Sequence, residues 1–250
     1  MLKKKTAFFI QARTSSKRFP QKIFKKIDNI PNIIFMIRRL EKKFKKDHIF
    51  VLTSNNKSDD KLSNICRKNK IKIFRGNLKN VLDRYFSANK LLNFKNIVRL
   101  TGDCPLIDTN IIKKVLDKHF KNKNDYTSNI LKTSFPQGLD VEVFTKETLN
   151  IIFRYAKKNY EKEHVTLYLR NNQKKFKCQN IVSRYDLSHI RLCLDYREDL
   201  DFIKNIVKVS KNNRLQLNYK NMILITKKLD TSHFNKLNKK NKFKNYLKFK

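Results

Sequence analysis

Short apolar runs alternate with longer segments whose apolar residues fall at helical spacing through the first half of the chain. Residues 6–10 are apolar at nearly every position, the pattern of a strand buried on both faces. Ile33, Ile34, Ile37 and Leu40 mark one face of a helix that Pro31 opens. Residues 48–52 predict the second strand. Leu62, Ile65 and Cys66 then give a short helix its buried face, and residues 71–74 predict the third strand. Val81, Leu82, Tyr85, Ala88 and Leu92 place a further helix over residues 81–91. The strand at 97–100 leads to a helix that Asp108 caps and that buries Ile111, Ile112, Val115 and Leu116. Strand and helix in this order predict βαβ units around a mainly parallel sheet.

The pattern then changes. Residues 141–144, 178–182 and 190–194 read as strands, separated by a helical segment around residues 160–169. From Lys211 onward one amphipathic piece, 222–229, precedes a Lys/Asn-rich end. No internal repeat or linker stands out. The reading is one α/β domain over residues 1–210 with a helical, Lys/Asn-rich tail over 211–250.

Composition changes this picture in two places. With 250 residues and 40% hydrophobic content the chain can bury a substantial core, which excludes a disordered basic tail. A formal net charge of +38 raises nucleic acid or an anionic membrane surface as partners. Yet the lysines are spread along the whole chain beside abundant Asn and Ile, with 3 Gly, 4 Pro and no Trp. That is the imprint of AT-rich codons, and no nucleic-acid motif accompanies it, so nucleic acid is not the expected partner. Cys66, Cys104, Cys178 and Cys193 are widely separated, without C-x-x-C or zinc spacing, and read as reduced thiols. The apolar run after Lys3-Lys4-Lys5 is too short for a signal peptide, and nothing approaches the roughly 20 apolar residues of a membrane span. A soluble, cytoplasmic protein is expected.

The candidate chemistry begins where the first strand breaks into a polar loop, Phe8-Phe9-Ile10-Gln11-Ala12-Arg13-Thr14-Ser15-Ser16-Lys17-Arg18-Phe19-Pro20-Gln21-Lys22. A loop at the carboxyl end of a parallel strand borders the ligand crevice of an open α/β sheet. Small residues there admit a phosphate to the backbone N–H groups, and cations neutralise it. A solvated basic loop is the alternative. Asp103 ends the strand at 97–100, and Asp195 ends the apolar run at 190–194 just before a helix. Carboxylates in those places face an anionic nucleotide only across a bridging cation such as Mg²⁺. The plainer reading makes Asp103 a turn residue and Asp195 a helix cap.

Gln11-Ala12-Arg13-x-x-Ser16-x-Arg18-x-Pro20-x-Lys22 resembles the signature loop of sugar cytidylyltransferases, in particular the spore-coat polysaccharide biosynthesis protein F branch. That branch usually carries glycine where Ser15 and Gln21 stand. Further blocks similar to the family follow in order: Gly76-Asn77-Leu78-Lys79-Asn80-Val81-Leu82-Asp83-Arg84-Tyr85, Asp103-Cys104-Pro105-Leu106-Ile107, Pro136-Gln137-Gly138-Leu139-Asp140-Val141-Glu142-Val143-Phe144, Glu163-His164-Val165-Thr166 and Asp195-Tyr196-Arg197-Glu198-Asp199-Leu200. The match runs from about Thr6 to Leu200.

This resemblance implies a Rossmann-like, GT-A-like nucleotidyltransferase fold, with helices on both faces of the sheet and a small β-containing dimerisation segment. It implies transfer of CMP from CTP to a sugar, an acidic eight- or nine-carbon one, with release of pyrophosphate, in surface polysaccharide or glycoconjugate synthesis. Arg13 and Lys22 would hold the triphosphate, and Arg18 would support the loop. Gln11, Ala12, Ser16, Thr53, Ser54, Arg75 and Gly76 would complete the nucleotide site. Gly138 and Asp140 would meet the sugar, or else form a turn. Asp103 and Asp195 would hold Mg²⁺. Glu163 and His164 lie near a helix, where His164 is a general base or a structural residue. Asp83 and Arg84 read as a structural ion pair. The implied partners are CTP, a sugar and a second copy of the chain, through residues 135–175. Use of another NTP or a sugar 1-phosphate, a non-catalytic homologue and a basic nucleic-acid-binding protein are the rival readings.

Overall fold

The computed structural model describes residues 5–229. The chain opens with β1 (Thr6–Gln11), the two-residue strands β2 (Lys26–Ile27) and β3 (Ile30–Pro31), and α1 (Asn32–Glu41). It continues through β4 (Ile49–Ser54), α2 (Asp60–Lys68), β5 (Lys72–Gly76), α3 (Val81–Leu92), β6 (Asn96–Thr101) and α4 (Thr109–Asn122). The second part holds β7 (Tyr126–Ser128), β8 (Glu142–Thr145), α5 (Lys146–Tyr155), α6 (Asn159–Glu163), α7 (Leu167–Asn171), β9 (Cys178–Asn180), α8 (Arg197–Asn212) and α9 (Tyr219–Lys228). Seven strands form one sheet in the order β5-β4-β1-β6-β8-β7-β9. The first four are mutually parallel, while β8 runs antiparallel to both of its neighbours.

The sheet is covered on both faces because β1 is apolar at successive positions, which a strand must point to opposite sides. Phe8 and Ile10 enter one core with α1, α2, α4, α8 and α9, and the Phe8 ring lies 4.5 Å from that of Phe44. Ala7 and Phe9 enter a second core with α3, α5 and α7, and Phe9 meets Tyr85 edge-on at 5.7 Å. Met222 and Ile225 of α9 are buried in the first core. Arg39 donates to the carbonyls of Leu106, Ile107 and Leu217, and the Asp108 carboxylate accepts from the Tyr219 amide at 2.6 Å. Residues up to 229 are thereby fastened to the turn after β6, while the Lys/Asn-rich end lies outside the described residues. No helix among them is long and apolar enough to cross a membrane.

Three expectations need correction. The apolar run at 190–194 is not a strand. It makes a single parallel bridge, Arg191 to Gln137. Its neighbour cannot continue a ladder, because Pro136 has no N–H and Gly138 turns away at φ +97°. The helical segment around 160–169 is two short helices, α6 and α7, broken at Val165 with φ 54°. The strand expected over 178–182 ends at Asn180. Two elements are absent from the sequence reading. β7 is the polar triplet Tyr126-Thr127-Ser128, which carries no apolar alternation, while α5 has both a helical spacing in Leu149, Ile152 and Phe153 and a cap, the Thr145 side chain accepting the Thr148 amide at 3.0 Å. The hairpin between β2 and β3, also absent from the sequence reading, turns at Asp28-Asn29, both left-handed as a two-residue turn requires.

Candidate active site

The strand order reverses between β1 and β6, which opens a crevice at their carboxyl ends. The two ends approach closely because Gly102 has no side chain: a Cβ there would stand 3.0 Å from that of Ala12. Ala12 donates its amide to the Leu52 carbonyl at 3.0 Å, and Gly102 donates to Gln11 at 2.9 Å. The Gln11 side chain accepts from the Tyr85 hydroxyl at 3.4 Å.

Beyond Ala12 the loop is moored by Asp59, a fully buried carboxylate. It accepts from the Thr14 amide at 2.8 Å and hydroxyl at 2.7 Å, and from the amide and hydroxyl of Ser54. Burial alone would raise the Asp59 pKa, but the hydrogen bonds from Ser54 and Thr14 hold it below the usual carboxylate value. The Thr14 carbonyl in turn accepts from the amides of Ser16 and Gln21, which rounds the loop. Gln21 adopts φ 55°, ψ 27°, with no side-chain capping bond. The glycine usual at this place in the resembling family thus has a physical reason, and Gln21 bears the strain. Left-handed backbone costs a side-chain residue about 1–2 kcal/mol, and glycine returns about 0.5–1 kcal/mol in the unfolded chain. Gln21→Gly should therefore raise the melting temperature by roughly 1–4 °C in thermal denaturation. A fall would mean that the Gln21 side chain makes a contact worth more than the strain.

At the end of the loop, four of the expected residues come together. Lys22 Nζ lies 2.8 Å from Asp103 Oδ2 and 2.8 Å from Asp195 Oδ1, with its side chain only 12% exposed. Arg18 Nη2 takes the other Asp195 oxygen at 2.7 Å, and its guanidinium rests over the Tyr196 ring at 5.4 Å. Burial would raise the Asp103 carboxyl, yet the Lys22 charge and hydrogen bond outweigh it and bring Asp103 to about 2. Lys22 shows the mirror effect: burial opposes its charge, and the two carboxylates more than restore it, raising its pKa. Asp195 is not a helix cap. The Asp199 carboxylate does that work, accepting from the amides of Asp195 and Tyr196 at 2.8 and 2.9 Å. Asp199 is itself paired with buried Arg191 at 3.1 Å, and Arg191 also donates to Gln137 at 3.0 Å. The segments carrying Asp140 and Asp195 are thereby tied together.

The other side of the crevice comes from the second half of the chain. Asp140 is open to solvent on its outer face. Enclosure by the crevice, with the charges of Glu142 and Asp103, pushes its carboxyl up to about 7, against Arg99 and Arg170. Beneath it, fully buried Glu142 pairs with Arg99 and accepts from the Tyr126 hydroxyl at 2.8 Å and the Thr166 hydroxyl at 2.5 Å. Arg13 reaches across to Glu163 at 3.6 Å, both about half exposed. Burial holds His164 below its ordinary pKa. Glu163 opposes that shift, while Arg99, Arg170 and Arg13 add to it, so the imidazole is neutral near pH 7.

Residues 7–229, which contain every one of these groups, match the model of the family described as Cytidylyltransferase. The chain belongs to the cytidylyltransferase family. It is 31% identical over 204 residues to the spore coat polysaccharide biosynthesis protein SpsF of Bacillus subtilis strain 168, spanning 79% of this chain and 84% of that protein. The solved structure of a cytidylyltransferase from Leptospira borgpetersenii serovar Hardjo-bovis (strain JB197) superposes with TM-score 0.84 at 34% identity, covering 90% of this chain and 94% of that one. CMP:2-keto-3-deoxy-manno-octonic acid synthetase complexed with CTP shares the fold alone, with TM-score 0.63 at 12% identity, covering 82% of this chain and 99% of that one. The α/β nucleotidyltransferase architecture expected from the sequence is the one observed.

Within this cytidylyltransferase, the residues expected at the nucleoside lie behind the loop. Thr53 and Ser54 are fully buried, and Ser54 is committed to Asp59. Arg75 donates to the carbonyls of Ser54 and Asn56 and pairs with Asp60 at 2.7 Å. Gly76 lets Arg84 pack close, since a Cβ would meet Arg84 Cγ at 3.1 Å. Arg84 does not form the expected pair with Asp83. Adjacent helical residues point apart, and buried Arg84 donates instead to the carbonyls of Asn77, Leu78 and Leu52. Gly138 packs against the backbone of Leu192 and Cys193. All four cysteines are free, and burial raises the thiols of Cys104 and Cys193 beside the site. Sequence reasoning gave no part in the site to Arg99, Arg191 or Asp59, and it quoted Asp199 without the pairing to Arg191. The available signal was a lone charge inside an apolar run for Arg99 and Arg191.

Proposed function

We propose that this cytidylyltransferase-family chain transfers CMP from CTP to a sugar hydroxyl with release of pyrophosphate, serving surface polysaccharide or glycoconjugate synthesis. The acceptor on this reading is an acidic eight- or nine-carbon sugar. The observation that carries the proposal is the convergence of Lys22, Arg18, Asp103 and Asp195 at the switch point of the sheet. Arg13, half exposed at the mouth, and the Arg18 and Lys22 cations supply the charge that a triphosphate needs. Phosphoryl transfer asks for positioning and electrostatics more than for covalent chemistry, and this cluster supplies both.

The residues present fit Mg²⁺. Two carboxylates reach one point, the Lys22 ammonium, at 2.8 Å each, so both can reach a single small cation. Among the described residues no group of three or more His, Cys, Asp or Glu side chains could cage a metal. One or two carboxylates completed by phosphate and water is the habit of Mg²⁺. Asp103 and Asp195 would hold it, and when bound it would polarise the α-phosphate and the attacking hydroxyl. Asp140, with a carboxyl near 7, is suited to hydrogen-bond a sugar hydroxyl as donor or acceptor. The proposal extends to a homodimer through residues 135–175, where α5 exposes Ile151 and Tyr155.

Nucleotide choice tests the reading. With Mg²⁺ present, CTP should raise the melting temperature more than ATP, GTP or UTP, since a ligand at 100 times its Kd stabilises by about 2.7 kcal/mol. Equal shifts with all four would remove the cytidylyl assignment and leave phosphate binding standing.

A further inference from the structure

Two cations already satisfy the paired carboxylates of the site. Lys22 donates to one oxygen of Asp103 and one of Asp195, and Arg18 takes the second oxygen of Asp195. The charges cancel: two carboxylates face one ammonium and one guanidinium. The Lys22 backbone is fixed, because it opens a short 3-10 turn whose next residue, Ile23, is buried in the core. Its side chain, by contrast, has four rotatable bonds and a compact ammonium that can change partners. Arg18 is half exposed and equally able to swing.

A divalent cation arriving alone would have to approach Asp103 and Asp195 against two resident positive charges, with no net negative charge to gain. A nucleoside triphosphate changes that balance. Its phosphates bring several negative charges to the same place and offer Lys22 and Arg18 new partners. We infer that Lys22, backed by Arg18, is the resident counter-ion of the Asp103–Asp195 pair, that it keeps free divalent cations off these carboxylates, and that it passes to the phosphates only when nucleotide binds. The inference rests on the proposed nucleotidyl transfer and assigns Lys22 an exchange between two sets of anions. Metal then enters with nucleotide and not ahead of it.

The probe is Mn²⁺, followed by water-proton relaxation or equilibrium dialysis, without nucleotide and with CTP. Wild-type chain should bind Mn²⁺ at least about 100-fold more weakly alone than with CTP, whose phosphates ligate the ion as well as drawing Lys22 away, so the charge barrier itself is read from the nucleotide-free titrations. Lys22→Met should bind Mn²⁺ alone at least about tenfold more tightly than wild type, because the barrier is removed. Lys22→Arg should restore the exclusion, and Lys22→Met/Asp103→Asn should lose the gained affinity, which places it at this pair. The inference is overturned if wild type binds Mn²⁺ alone as tightly as with CTP and loses that binding on Asp103→Asn. It is equally overturned if folded Lys22→Met gains nothing. Should Lys22→Met not fold, Lys22→Gln, which removes the charge but keeps a polar end for the two carboxylates, takes its place with the same expected gain and the same overturning result. Failure of CTP to bind at all would strike the proposed function instead, and the nucleotide-free titrations would show the difference.

Discussion

Asp103→Asn should lower turnover by about 10² or more, the scale of losing one preorganised electrostatic group. The side chain sits at the end of β6, held by the Lys22 ammonium at 2.8 Å, and its carbonyl accepts the Leu194 amide at 2.7 Å. The amide variant keeps both the shape and an oxygen that can accept from Lys22, so the turn should survive. What disappears is one of the two negative charges that would face the metal-bound phosphate. Steady-state pyrophosphate release with CTP and a panel of acidic sugars reads the loss, and circular dichroism checks the fold. A folded variant that turns over like wild type would remove Asp103 from the chemistry.

A second large effect is expected at a residue with no side chain at all. Gly138→Ala should destabilise the chain by about 2–5 kcal/mol, combining left-handed strain with overpacking. The reason is local and unforgiving. At φ +97° an added Cβ would lie 2.5 Å from the Cys193 amide nitrogen and 2.6 and 2.7 Å from the Leu192 carbonyl carbon and oxygen. All three are backbone atoms, pinned by the Leu192 amide donating to Gln137 at 2.7 Å and by the Gln137 amide donating to Ile190 at 2.9 Å. No side chain can rotate away to make room. The melting temperature should fall by roughly 5–20 °C, and the two segments that carry Asp140 and Asp195 should be forced apart. A melting temperature within a degree of wild type would show that the 136–139 turn can relax.

The part of the site written in consecutive residues was legible in the sequence. An apolar run breaking into a basic loop located β1 and its crevice, and Asp103 followed from the strand that ends at it. Asp108 was legible as a cap, and it does accept the amides of Asn110 and Ile111. Partners distant along the chain were not legible, because no local period encodes them. Arg99 meets Glu142 only because β6 and β8 pair antiparallel in one register. Asp59 moors Thr14 across 45 positions, and Lys22 meets Asp195 across 173. The apolar run at 190–194 has the composition of a strand, and what prevents it from being one is the geometry of its neighbour at Pro136 and Gly138.

The reversal of β8 between β6 and β7 divides the charges of the site between two portions of the chain. The parallel strands before it deliver Arg13, Arg18 and Lys22, the proposed phosphate cations, and Asp103. The chain from the turn before β8 onward delivers Asp140, Glu142, Glu163 and His164, with Asp195 reaching back. The two portions meet along a seam where β6 and β8 share four residue pairs. Asp195 crosses that seam to reach Lys22 at 2.8 Å, so the charge cluster closes only when both portions have folded against each other. Loosening the seam should therefore disperse the four charges even where every one of them is retained.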